Sequence, residues 1–175
     1  MIIPVLLLPI LASLALASPL MPRSEKHQIR SVSNPDLCLS NGFEIGLNSC
    51  HDEGDDIQAV FQDFNLEYGP QAHIHLSSND SLCIDAGGAH NGGRVVTKLC
   101  KEDSVTQQFT LIPAQDGTRY SIQYSSPDSD IPHCLDVTKD GGSTNKPDFF
   151  AKPLQNWECH WPNDPDENQQ FFELI

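Results

Sequence analysis

The chain is short of positive charge. Only 10 of its 175 residues are Lys or Arg, against 24 Asp or Glu, and the net charge is −14. Neutralising a phosphate backbone needs clustered cations, so no nucleic-acid partner is expected. Long apolar runs are also missing after the N-terminus. The opening MIIPVLLLPILASLALAS is uncharged, is interrupted by Pro4 and Pro9, and ends in the small-x-small pattern Ala15-Leu16-Ala17. It is too short for a membrane span and reads as a signal peptide over 1–17. SPLMPRSEK (18–26) then reads as a leader outside the fold. The expectation is a secreted, extracellular protein with no membrane insertion.

Other absences narrow the chemistry. No stretch of the mature chain repeats apolar residues with a 3.6-residue period, so helix is not expected. There is no CxxC and no clustered Cys/His spacing, and neither a metal site nor a cofactor is expected. His73 and His75 share a strand face, but the sequence shows no third ligand beside them. The acidic run HDEGDD (51–56) lacks the alternating oxygen ligands of an EF-hand loop and reads as a solvated turn. No Gly-x-Ser-x-Gly nucleophile motif occurs.

What the chain does have is a threefold repeat. IRSVSNPDLCLSNG (29–42) ends its unit in NSC and FQDFNL; IHLSSNDSLCIDAGG (74–88) ends in KLC and TQQFTL; IQYSSPDSDIPHCLDVTKDGG (122–142) ends in WEC and NQQFFEL. The units run over about 27–67, 72–112 and 119–175. Each holds Ile, a Ser-rich turn, a Cys, an aliphatic residue, a Gly turn, a second Cys and Gln-x-Phe. A unit of this size cannot bury its own apolar face and must share a core with its copies. The alternating stretches are short and bounded by Gly, Pro, Asn and Ser, which gives an all-β class. Three copies of about four strands close most naturally into a pseudo-threefold barrel capped by hairpins, leaving few open edges.

The six cysteines follow the same plan. Two per unit give Cys38–Cys50, Cys83–Cys100 and Cys134–Cys159, local bridges suited to an oxidising compartment. The triplets are read as Gln62-Asp63-Phe64, Gln107-Gln108-Phe109 and Gln169-Gln170-Phe171. Phe64, Phe109 and Phe171 are expected to meet at the central axis, and Gln62, Gln107 and Gln169 to satisfy backbone groups of neighbouring loops. Asn79-Asp80-Ser81 is a sequon, which makes Asn79 a candidate N-glycosylation site in a turn.

LQNWEC (154–159) raises the functional question. On a strand Gln155, Trp157 and Cys159 project from one face, which could be ordinary core or the floor of a site. The Cys-aliphatic-Asp, second-Cys and Gln-x-aromatic pattern, repeated in register, resembles the ricin B-type β-trefoil lectins over residues 27–175. The resemblance implies a β-trefoil with a binding role and no enzymatic activity, and up to one shallow sugar pocket per unit. Each pocket comprises an Asp two after the first Cys, an aromatic two and a polar residue four before the second, and an Asn before the triplet. The third unit supplies Asp136, Trp157, Gln155 and Asn168, with His160 as a further hydroxyl contact.

The chemistry is sound on its own terms. An indole accepts the C–H face of a pyranose, a carboxylate accepts hydroxyl protons in charge-assisted bonds, and amides both donate and accept. The second unit keeps Asp85 but has Lys98, Val96 and Thr106 at the other positions, a degenerate site. The first has Ser40, Asn48, Gly46 and Phe61 and is structural. The longer spacing in the third unit includes GGSTNKPDFFAKP (141–153), whose two adjacent Phe either extend a groove for a longer glycan or, the reading favoured here, belong to a loop folded onto the barrel. The expected function is a lectin for galactose-type or related sugars on glycans or glycoproteins. The alternative is a trefoil that inhibits a protease or binds another protein through its loops.

Overall fold

The computed structural model describes residues 25–175 except 43, 53, 68, 89, 126–128, 140–150, 161–163 and 165. The signal-peptide expectation and most of the leader therefore lie outside the described residues. Four strands form the first unit: β1 (Glu25–Ser31), β2 (Leu37–Asn41), β3 (Ile45–Ser49) and β4 (Asp63–Leu66). The second holds β5 (Ile74–Leu76), β6 (Asn79–Asp85), the two-residue β7 (Gly93–Arg94), β8 (Val96–Leu99) and β9 (Thr110–Pro113). The third holds β10 (Tyr120–Tyr124), β11 (His133–Val137), β12 (Lys152–Glu158) and β13 (Phe171–Leu174). The leader boundary shifts in consequence. Glu25 and Lys26 pair with Leu66 and Asn65, so β1 already begins inside the stretch read as a leader.

The outer strands of the units close a ring. β1 pairs β4, β4 pairs β5, β9 pairs β10, β10 pairs β13, and β13 returns to β1. The remaining junction, between the second unit's first and last strands, is an Ala72–Phe109 bridge. The inner strands pair as the hairpins β2–β3, β6–β8 and β11–β12. This is a β-trefoil, as the repeat implied, and all three disulfides have the expected pairing.

Equivalent positions of the repeat fill the core. Ile29, Ile74 and Ile122 are buried, as are Leu39, Ile84 and Leu135, the aliphatic residues that follow each first cysteine. Burying a side chain of this size stabilises the fold by about 1.5–3 kcal/mol. The third aromatic position is Phe172, 0% exposed beside Phe64 at 0% and Phe109 at 1%; Phe171 is only half-buried. The triplet expected at 169–171 is thus displaced by one residue, to Gln170-Phe171-Phe172.

The glutamines show why. Gln62 Oε1 accepts the His51 amide at 2.8 Å and its Nε2 donates to Ser49 O at 2.8 Å. Gln107 accepts from the Lys101 amide at 2.8 Å and donates to Leu99 O at 3.1 Å. Gln170, not Gln169, repeats this with the His160 amide at 2.7 Å and Glu158 O at 3.0 Å. Each glutamine, itself buried, staples the backbone on either side of a second cysteine and so has both ends of its amide partnered.

One α-helix lies among the strands of the described residues, where the missing 3.6-residue period gave no expectation of helix. Asp56–Gln62 forms α1, and the Asp55 carboxylate accepts the Gln58 amide at 3.1 Å. The acidic run is therefore in part an N-cap. The helix escapes a periodicity reading because it is seven residues long and keeps Ile57, Val60 and Phe61 exposed. No helix among the described residues is long and apolar enough to cross a membrane.

Candidate functional site

The β11–β12 hairpin builds the third-unit site. Its register sets Cys134 opposite Trp157 and Asp136 opposite Gln155. Directly opposed residues share a face, so ring, amide, acid and disulfide stand together. Trp157 is 37% exposed, whereas Asp136 is 2% exposed. The face is therefore not ordinary core. It has an accessible indole at one end and a carboxylate recessed beneath an amide at the other.

The recessed acid is held by two amides. Gln155 Nε2 donates to Asp136 Oδ1 at 2.8 Å, and Gln170 Nε2 donates to Oδ2 at 3.1 Å. His160 Nε2 lies 3.8 Å from Oδ2, and its Nδ1 lies 3.2 Å from Asp164 Oδ2. Burial raises the Asp136 carboxyl above its ordinary 3.8, and the bonds from Gln155 and Gln170 offset part of that rise. The Asp166 amide, with the His160 ring, holds the Asp164 carboxyl below its ordinary value. A carboxylate has about four acceptor positions, so Asp136 keeps capacity for a further donor. Gln155 Oε1 accepts no bond from the described residues.

Asn168 is not brought to this group. It is exposed on the 3-10 helix Glu167–Gln170, and its Oδ1 accepts from Arg119 Nη1 at 3.2 Å. The one-residue displacement of the triplet explains this, because the position before Gln170 belongs to Gln169. In the second unit the matching Thr106 does reach its acid.

The sequence reading missed the brace supplied by the second unit. The Asn91-Gly92 turn lies against β12: Gly92 donates to Asn156 O at 2.9 Å, and Asn91 Oδ1 accepts from the Glu158 amide at 2.8 Å. Gly92 has φ +79°, and a Cβ there would lie 3.8 Å from Trp157 and 3.9 Å from Gln155. On the opposite face of the strand, buried Asn156 donates to Ala86 O at 2.5 Å and Gly88 O at 2.8 Å. The Asn-Gly-Gly turn (91–93) was the available signal.

The other units differ in kind. Asp85 is already occupied: Oδ1 accepts from the Gly87 amide at 2.8 Å and Lys98 Nζ at 3.0 Å, and Oδ2 from Thr106 Oγ1 and Gln107 Nε2, both at 3.1 Å. Lys98 stands where the third unit has its ring and neutralises the acid. In the first unit Ser40 is buried, and Asn48 Oδ1 accepts the Ala151 amide at 3.1 Å. The two Phe of the 141–153 loop lie outside the described residues, but its last residues run onto β3 through Lys152–Leu47 pairing. Asn79 is exposed at the start of β6, and its Oδ1 accepts from the Ser81 amide at 3.1 Å and Ser81 Oγ at 2.7 Å.

Among the described residues, a closed threefold barrel, a disulfide in each unit and an open indole beside a recessed acid make a β-trefoil with a candidate site on its third unit. A sequence profile of the ricin-type β-trefoil lectin domain matches residues 25–171, and the chain belongs to that family. No curated protein sequence matches the chain. Among solved structures, a mosquitocidal holotoxin superposes with TM-score 0.60 at 12% identity, over 86% of this chain and 17% of the toxin. The chain thus spans only a small part of that protein. The C-terminal domain of an earthworm lectin, a mutant in complex with 6'-sialyllactose, gives TM-score 0.54 at 18% identity over 88% of this chain and 100% of the domain. The earthworm R-type lectin C-half in complex with GalNAc gives 0.51 at 17% identity, again over 88% and 100%. At these identities the likeness is one of fold.

Proposed function

We propose that this protein is a secreted, non-enzymatic lectin that binds a galactose-type or related sugar through the third unit. The observation that carries this reading is the open Trp157 ring on the same hairpin face as Gln155 and Asp136. The sugar's C–H face rests on the indole. One hydroxyl bonds Gln155 Oε1, and a neighbouring hydroxyl, entering past that amide, donates to Asp136. His160 closes the polar rim, and Asn168 drops out of the site. The earthworm lectin's complex with GalNAc favours the galactose class, and three disulfides suit an extracellular setting.

A glycan array tests this. Wild-type protein binds galactose-terminated glycans, and Trp157→Ala loses the signal while its circular dichroism is unchanged. Unchanged glycan binding in Trp157→Ala sinks the proposal. The same array should fade in acid, because a hydroxyl is bound best by an ionised acceptor. Burial raises the Asp136 carboxyl, so binding is full above that raised value and is lost as pH falls through it, before an ordinary aspartate at 3.8 would be protonated. Stability shifts the other way: the contribution of the neutral acid is present below 3.8 and is lost as pH rises through the raised value. A single sugar site of this kind also means that a monomer binds glycans without cross-linking cells.

A further inference from the structure

The end of β4 and the start of β5 place three ligand-type side chains together on the outer surface of the barrel. Ile74 and Leu76 point into the core, so His73 and His75 face outward by the alternation of a strand. The missing third ligand comes from the paired strand, where the Glu67 amide lies 3.4 Å from His73 O. Glu67 Oε2 is 3.8 Å from His73 Nδ1, and Oε1 is 3.5 Å from His75 Nε2. All three ligand atoms fall within 4.8 Å of one another. Ligand atoms around a tetrahedral zinc ion lie about 3.3–3.5 Å apart, given bonds of about 2.0–2.2 Å. A small side-chain rotation therefore closes the set.

The second layer is already in place. His75 Nδ1 lies 2.8 Å from Asp80 O, and His73 Nε2 lies 3.2 Å from Lys101 O. A carbonyl only accepts, so each of these nitrogens carries a proton, and the other nitrogen of each ring faces Glu67, where its lone pair serves a metal once that nitrogen is unprotonated. A backbone carbonyl fixing the tautomer in this way is how protein metal sites orient their histidines. The Glu67 carboxylate is steadied too, by the His73 amide at 3.2 Å. The His73 and His75 side chains are 14% and 20% exposed and Glu67 is 49% exposed, so an ion can enter and keep water at its open position. The adjacent Cys83 and Cys100 are tied in a disulfide and are not ligands.

We propose that Glu67, His73 and His75 form a site for a divalent first-row transition metal, zinc foremost, because two imidazoles and one carboxylate suit that class. The site shares no residue with the sugar pocket, and the ion clips the β4–β5 junction in the folded state. Calorimetric titration of the oxidised protein with ZnCl2 tests it, alongside thermal melts. The wild type binds one Zn2+ per chain, and its melting midpoint rises with zinc and returns with EDTA. Glu67→Gln and His75→Gln each weaken binding by at least about tenfold, since even outer-layer changes cost that much. Glu67→Gln is on a half-exposed side chain and keeps the fold, so it decides the matter if His75→Gln misfolds. No saturable zinc binding by the wild type, or equal affinity in Glu67→Gln, overturns the assignment.

Discussion

Replacing Phe172 by alanine should cost about 3–5 kcal/mol, the usual range for emptying a buried aromatic site, while Phe171→Ala costs under about 1.5 kcal/mol. Phe172 is 0% exposed at the shared core of the three units. Phe171 is half-buried, with the Arg119 guanidinium 5.3 Å from its ring centre. Against a total stability of about 5–15 kcal/mol, the first loss removes a large share of the fold. Urea unfolding followed by circular dichroism measures both. Equal losses would mean that the barrel does not distinguish the two rings.

That pair of residues also shows how far the sequence could be read. The repeat declared a three-unit barrel and its disulfides, and marked Ile29, Ile74 and Ile122 as equivalent positions, because each feature recurs and recurrence fixes the register. In NQQFFEL two glutamines and two phenylalanines adjoin, so spacing alone does not choose between them. The choice is made by tertiary bonds from Gln170 to His160 and Glu158, which no local pattern encodes. The same slip put Asn168 in the pocket. Glu67 was invisible for a related reason: strand pairing, not sequence proximity, brings it to His75. Helix α1 was missed because it is held by a cap and not by a buried stripe.

Asp136→Asn carries the second large effect. The proposed sugar contact is a charge-assisted bond, and losing the charge should weaken binding by about ten- to a hundredfold, from about 1.5–3 kcal/mol. An asparagine also offers only one acceptor oxygen. Its NH2 must then face either the Gln155 or the Gln170 amide, both of which donate to the carboxylate. One of these glutamines has to turn away, which disturbs the polar rim as well as its charge. Calorimetric titration with N-acetylgalactosamine reads the loss directly. Wild-type affinity in Asp136→Asn would remove the acid from the site.

The proposed function requires that sugar binds on the third unit's hairpin face and on no other unit. Titrating 15N-labelled protein with N-acetylgalactosamine, and following the amide and indole signals, tests that most directly. The Trp157 indole and the Gln155 side-chain amide should shift together and saturably, while signals around Asp85 and Ser40 stay still. Shifts centred on Asp85 or Ser40, with Trp157 unmoved, would contradict it.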